Sequence, residues 1–255
     1  MASAAASYRP TPAPAAAAAA PAPRSGRTDA EFRPTHMKVG VVARAVGSAY
    51  IEAGGTKVIA AVYGPRQTEK ATYSERGRLK CDLRYISATS PDPERHARTT
   101  EEKEPSQQIH RALEASVRLE KYPKSVVDVF VMVLDSDGGV LPLAITAGSL
   151  ALAHAGIEMF DLVAACAATT VGRQVYLDPT GDEEARAARE SVRRGETGCS
   201  LGASAMLATM PSLGRVTQLT QAGELPLGEL TPLIAQLEEG CGQVLRKMRA
   251  VLCRA

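Results

Sequence analysis

The chain has 255 residues, 45% hydrophobic and 23% charged, with a formal net charge of +2. Such values are ordinary for a soluble globular protein of one domain or two small halves, and they exclude a global field that would draw in nucleic acid. The five cysteines are odd in number and contain no Cys-x-x-Cys pair, which argues against a disulfide framework or zinc site and for a reducing compartment.

Residues 1–30 are dominated by Ala and Pro, which offer little to bury and block regular pairing, so they read as a disordered tail. They lack the Leu- or Val-rich core of a secretory signal. The folded part is expected over 31–255, in halves of about 37–156 and 157–253. The stretch Lys38 to Ala45 is β-like, and Ser48 to Ala53 and Thr56 to Tyr63 flank Gly54-Gly55 as a hairpin that Gly64-Pro65 should end. Residues 66–78 form a basic loop with Arg66, Lys70, Arg76 and Arg78, and strand character returns from Arg78 to Ile86. After a charged, Pro-containing loop over 88–105, Ser106 is the expected N-cap of a helix carrying Ile109, Leu113 and Val117 that stops before Pro123.

Ser125 to Leu134 reads as a buried strand, 135–139 as a turn, and Leu143 to Ala155 as a small-residue buried helix ended by Gly156. The run Leu141 to Ile157 contains His154 and two glycines and is short for a membrane span. Strands then follow at Asp161 to Val171 and Gln174 to Leu177, and the charged segment 182–198 reads as an exposed helix or an insertion loop. Ser200 to Met210 and Arg215 to Thr220 are two more strands, and Glu229 to Leu252 is an amphipathic helix. Strands followed by helix in each half give an α+β fold.

Several stretches carry a family resemblance. Gly47-Ser48-Ala49-Tyr50-Ile51-Glu52-Ala53-Gly54-Gly55-Thr56-Lys57-Val58, continuing to Gly64-Pro65-Arg66, resembles the opening signature of RNase PH domains in exosome ring subunits. Arg111-Ala112-Leu113-Glu114 resembles the family's first central helix, and Asp137-Gly138-Gly139 with Ser149 to Ile157 its second. Met210-Pro211-Ser212 and Gln218-Leu219-Thr220 are similar to the late strands. Within the family, the segments Glu158 to Val163 and Leu177-Asp178-Pro179 with Glu183-Glu184 most resemble the mRNA transport regulator 3 type of subunit.

The resemblance implies an RNase PH-like fold, its first half like domain 2 of ribosomal protein S5, in two pseudosymmetric β-α halves. It also implies a place in a six-membered ring around an RNA channel. The implied partners are other RNase PH-like subunits, S1/KH-type cap proteins and single-stranded RNA in the channel, with no membrane. Nucleus, nucleolus and cytoplasm are the implied locations. Edge strands of each half are expected to pair or pack with neighbouring subunits.

Phosphorolysis needs an anion site for phosphate, cations for the RNA backbone and a carboxylate near the scissile bond. By the resemblance, the phosphate-binding Arg of active members falls here on Leu141, two residues after the Asp-Gly-Gly turn. The catalytic Asp falls on Ser204, seven residues before Pro211, and the Arg pair before the first central helix falls on Thr100 and Glu101. Each replacement removes the needed charge, so the expected function is a non-catalytic ring subunit supporting 3′-to-5′ RNA processing and degradation. An active phosphate-dependent exoribonuclease would need Glu190 or Glu196 as a substitute acid, and a free RNA-binding module would need stacking aromatics, which are sparse. The basic residues Arg66, Lys70, Arg76 and Arg78 correspond to a channel-facing loop and are the expected RNA contacts. Arg66 has two further expected roles, a bridge to a neighbouring subunit or to an internal carboxylate. Neither metal nor cofactor is expected: Asp135 and Asp137 read as a solvated turn, and His154 as a packed structural residue.

Overall fold

The structure, a computed structural model, describes residues 24, 27–67, 75–86, 100–172, 174–192 and 202–254, without the side chains of 100, 101 and 190–192. The first half contributes β1 (Thr35–Val39), β2 (Gly47–Ala53), β3 (Thr56–Gln67), β4 (Arg78–Tyr85), α1 (Thr100–Glu114), β5 (Ser125–Asp135) and α2 (Val140–His154). The second contributes β6 (Ala164–Val171), β7 (Gln174–Leu177), α3 (Gly181–Val192), β8 (Gly202–Met210), β9 (Arg215–Gly223) and α4 (Leu227–Leu252). The strands form two sheets, ordered β1-β2-β3-β5-β4 and β7-β6-β8-β9. All pairings are antiparallel except β4 with β5.

Alternation along the strands decides which face meets the helices. Ile51, Val58, Ala60, Val62, Leu83, Val129 and Val131 point inward and are buried, while Phe130 and Met132 point outward and are exposed. Helix α2 is apolar on nearly every side because it lies at the centre, touching β2 and β3 of one sheet and β6 of the other. Its small residues let backbones approach closely. A Cβ added at Gly47 would stand 2.3 Å from the Ala151 carbonyl oxygen, so only glycine lets β2 reach the helix there. Helix α4 covers β6 and β8 with Leu233, Leu237, Cys241 and Met248.

The α+β architecture of two sheets with helices is as expected, and several element ends differ. Strand β1 stops at Val39, short of Ala45. Strand β3 does not stop at Gly64-Pro65: after a register shift between Tyr63 and Arg66 it pairs with β5 again, on to Gln67. Helix α1 starts at Thr100, and Ser106 is not its cap. Its hydroxyl donates to the Glu102 carbonyl at 2.5 Å and accepts the Leu83 N–H at 2.9 Å, fixing the helix to β4. The same helix ends at Glu114, and a short 3-10 turn, Leu119–Lys121, leads toward Pro123. Helix α2 begins at Val140, so Pro142 sits in its first turn, where a missing N–H is harmless. The charged segment is helical as α3 up to Val192, and residues 193–198 lie outside the described residues.

An arm before β1 joins the two halves. Arg33, with its side chain 4% exposed, donates from Nη2 and Nε to Asp178 at 2.7 and 3.1 Å. It also donates to the Asp137 carbonyl at 2.7 Å, the Gly138 carbonyl at 3.2 Å and the Thr56 hydroxyl at 3.4 Å. Arg24 forms two bonds of 2.8 Å to Glu183, and the Asp29 carbonyl accepts the Leu177 N–H at 2.9 Å. This arm therefore locks the turn before α2 to the turn before α3.

Candidate functional site

The turn before α2, with Glu184 of α3, forms one side of a cleft of about 370 Å³ that residues of both sheets also line. Leu141 and Ser204, 63 residues apart in the chain, both line it, together with Pro105, Gly139, Thr169, Glu184, Thr220 and Ala222. The sequence had assigned Leu141 and Ser204 separately to a phosphate position and an acid position, and the fold places them in the same cavity. Thr100 and Glu101 open α1, their side chains lie outside the described residues, and Pro105 further along that helix borders the cleft. Glu190 and Glu196 cannot be placed relative to the cleft: the side chain of the former and all of the latter lie outside the described residues.

The start of α2 is the natural anion position, with unsatisfied amides and the positive end of the helix dipole. The chain fills part of it itself. Glu184 of α3 accepts the Gly139 N–H at 2.9 Å, Gly139 being the left-handed residue that caps α2. Burial pushes the Glu184 carboxyl above its usual range, and the Gly139 bond and Arg33 oppose that only partly. The remaining polar lining is uncharged. Thr169 lies directly across from Ser204 on the β6–β8 ladder, and its buried hydroxyl has no partner among the described residues. Among the described lining residues none is Lys, Arg or His. The cleft can accept and donate neutral hydrogen bonds, but those residues supply no cation to a phosphate. Glu184 was noted in the sequence only as part of a Glu-Glu pair. Its partner lies 45 residues away, which no local pattern signals.

The basic group lies elsewhere, at the end of the first sheet. Arg66 on β3 and Arg78 on β4 both stand opposite Val126, on either side of β5, so they are about two strand spacings, roughly 10 Å, apart. Arg66 pairs with the buried Asp128 at 2.6 Å while its own side chain stays 63% exposed. An internal carboxylate is thus a partner of Arg66, one of its two expected bridges. Arg76 pairs with Glu120 at 3.2 Å on the surface, and Lys70 lies outside the described residues. Tyr63 and Phe130 meet edge to face on the same outer surface, with ring centres 5.8 Å apart.

The remaining candidates make hydrogen bonds within the fold. Asp135 accepts the Ser136 N–H at 3.0 Å, and Asp137 accepts the Gly181 N–H at 3.4 Å. His154 accepts the Ser48 N–H through Nδ1 at 3.4 Å, tying α2 to β2. Cys166 and Cys241 are free and buried, and burial pushes the Cys241 thiol up to about 11.

Comparison with known proteins agrees with this architecture. Residues 31–158 match the RNase_PH family, described as "3' exoribonuclease family, domain 1". The chain is 39% identical over 225 residues to the Arabidopsis thaliana exosome complex component RRP41-like, covering 87% of this chain and 81% of that protein. It is 36% identical to the human exosome complex component MTR3 over 246 residues, covering 90% and 85%. Among solved structures, rice Rrp46 superposes with a TM-score of 0.75 at 26% identity, covering 89% of this chain and 98% of that one. An Archaeoglobus fulgidus exosome with RNA bound to the active site has a TM-score of 0.71 at 21% identity, a likeness of fold, over 88% and 90% of the chains. With its two sheets, its central helices and its matched sequence, the chain belongs to the RNase PH family of 3′ exoribonucleases.

Proposed function

We propose that this chain is a non-catalytic subunit of an exosome core ring, of the mRNA transport regulator 3 type, and that it supports 3′-to-5′ RNA processing and degradation by closing the ring and lining the RNA path. The observation that carries the reading is the character of the cleft. By the family resemblance Leu141 and Ser204 correspond to the phosphate Arg and the catalytic Asp of active members; both line the cleft, and no described lining residue is a cation. Phosphoryl transfer depends on positioned cations and a charged or acidic group near the reacting phosphate, and hydroxyls and a methyl-rich Leu do not replace them. Glu184 at the start of α2 adds a carboxylate where phosphate would have to sit. The similarity to the exosome components RRP41-like and MTR3 supports the ring assignment.

The partners are other RNase PH-like subunits, S1/KH-type cap proteins and single-stranded RNA passing through the channel. The sites of action are nucleus, nucleolus and cytoplasm, where such a complex works. Arg66, Arg76 and Arg78 contact the RNA backbone from the end of the first sheet, and Lys70 is a further contact. Phosphate titration followed by calorimetry tests the cleft. No heat of binding at millimolar phosphate is expected, and saturable binding that is lost on Ser204→Ala would overturn the reading.

A further inference from the structure

The cleft that offers no cation to phosphate is still an open cavity of about 370 Å³. Three paired strands present one face to it: Ala167 and Thr169 of β6, Ser204 and Met206 of β8, and Thr220 and Ala222 of β9. That face carries methyls, a thioether and three hydroxyls. Leu141 and Pro142 at the start of α2, with Leu83 and Tyr85 of β4, add apolar surface. Among the described lining residues, Glu184 is the one charged group.

Two groups in this lining are short of partners. The Glu184 carboxyl accepts the Gly139 N–H and has no other hydrogen bond or ion pair among the described residues. Arg33 acts on it only through space, because its own bonds go to Asp178, the Thr56 hydroxyl and two carbonyls. A carboxylate taken partly out of water without a cation is unfavourable, and a cation that reaches it is held more strongly than in bulk solvent. The second group is Thr169, fully buried, whose hydroxyl has no hydrogen-bond partner among the described residues. It lies across the ladder from Ser204, so two hydroxyl side chains are neighbours on one face.

We propose that the cleft is a binding site for a small organic ammonium ion, with Glu184 as its counter-ion. The inference rests on the non-catalytic reading of the cleft above and names the ligand class that takes the place of phosphate there. An ammonium head has three N–H donors and no acceptor, which suits a carboxylate and a pair of hydroxyls. Its alkyl chain covers Leu141 and Met206, apolar surface that an inorganic cation would leave bare. An anion meets Glu184 with like charge and finds no described lining cation to offset it.

The test is calorimetric titration and thermal unfolding of the full chain with n-butylammonium chloride, set against sodium butyrate, n-butanol and sodium chloride at matched ionic strength. Butylammonium should bind saturably, with a dissociation constant on the order of 1 mM for so few heavy atoms, and should raise the melting temperature. Butyrate and sodium chloride should do neither. Glu184→Gln keeps the side-chain shape and the acceptor for Gly139, and should weaken amine binding by roughly 10-fold or more. Thr169→Val, which keeps the shape and removes the unpartnered hydroxyl, should weaken it by a few-fold. Absence of saturable amine binding would overturn the ammonium site and leave the non-catalytic reading standing. An equal response to butyrate, n-butanol or sodium chloride, or full affinity in Glu184→Gln, would do the same. Saturable phosphate binding that is lost on Ser204→Ala would instead sink the non-catalytic reading itself.

Discussion

The Arg33–Asp178 pair offers a quantitative check on how the two halves are held together. Asp178→Asn is the cleanest perturbation, because Asp178 has a φ of 50° and Asn tolerates that left-handed conformation. The variant keeps the side-chain shape and removes the charge that faces Arg33 at 2.7 and 3.1 Å. The guanidinium is 4% exposed and cannot recover water, so breaking the pair should cost about 3–5 kcal/mol. That is a large part of the ~5–15 kcal/mol that holds a domain of this kind together. Arg33→Met combined with Asp178→Asn removes both charges and should recover part of the loss. Recovery is incomplete because the Asp137 carbonyl loses its Arg33 donor, while the Gly138 carbonyl keeps the Thr56 hydroxyl at 2.7 Å. Urea unfolding followed by far-ultraviolet circular dichroism is the assay, since the chain contains no tryptophan. A loss below about 1 kcal/mol for Asp178→Asn, or strict additivity in the double variant, would refute the clamp.

Other consequences are equally direct. Gly47→Ala places a Cβ 2.3 Å from the Ala151 carbonyl, so it should destabilise by about 1–3 kcal/mol and lower the melting temperature by several degrees. Glu184→Gln should stabilise the chain at neutral pH while leaving it nearly unchanged near pH 4. The folded carboxyl is raised by burial above its unfolded value, so the contribution of Glu184 is full below the unfolded pKa and is lost as pH rises through the folded one. Urea midpoints at the two pH values read this out, and a larger gain at pH 4 would contradict it. Charge reversal at Arg78, which is exposed at the start of β4, should weaken RNA binding by the assembled ring and shallow its salt dependence by about one unit. Binding with an unchanged salt slope would place the RNA elsewhere.

How much of this was readable beforehand varies with the range of the interaction. Helix α4 follows a helical periodicity, while α2, β6 and β8 stand out as apolar runs bounded by turn residues, which is why their existence and order emerge from residue pattern alone. The residue pattern starts helix α1 too late because the acidic stretch before Ser106, with Pro105 inside it, reads as a loop. Its early turns are tied to the edge of β4 through Glu102 and Ser106, contacts 17 and 23 residues apart that no local pattern records. The passage of β3 through Gly64-Pro65 depends on pairing with β5 and was likewise invisible. Leu141 and Ser204 were found by family resemblance. Their meeting in one cleft is a property of the fold, as is the Glu184–Gly139 bond beside them. The Arg33–Asp178 pair, 145 residues apart, left no trace in the pattern at all.

The most direct test of the non-catalytic reading is a phosphorolysis assay on single-stranded RNA with inorganic phosphate. The purified chain would be assayed alone and in a ring whose neighbouring subunit carries an inactivated site, with nucleoside diphosphate as the product measured. The account predicts no product in either case. Diphosphate release by this chain, abolished by Ser204→Ala, Glu190→Gln or Glu196→Gln, would show that an acid or hydroxyl of its own supports the reaction and would contradict the account.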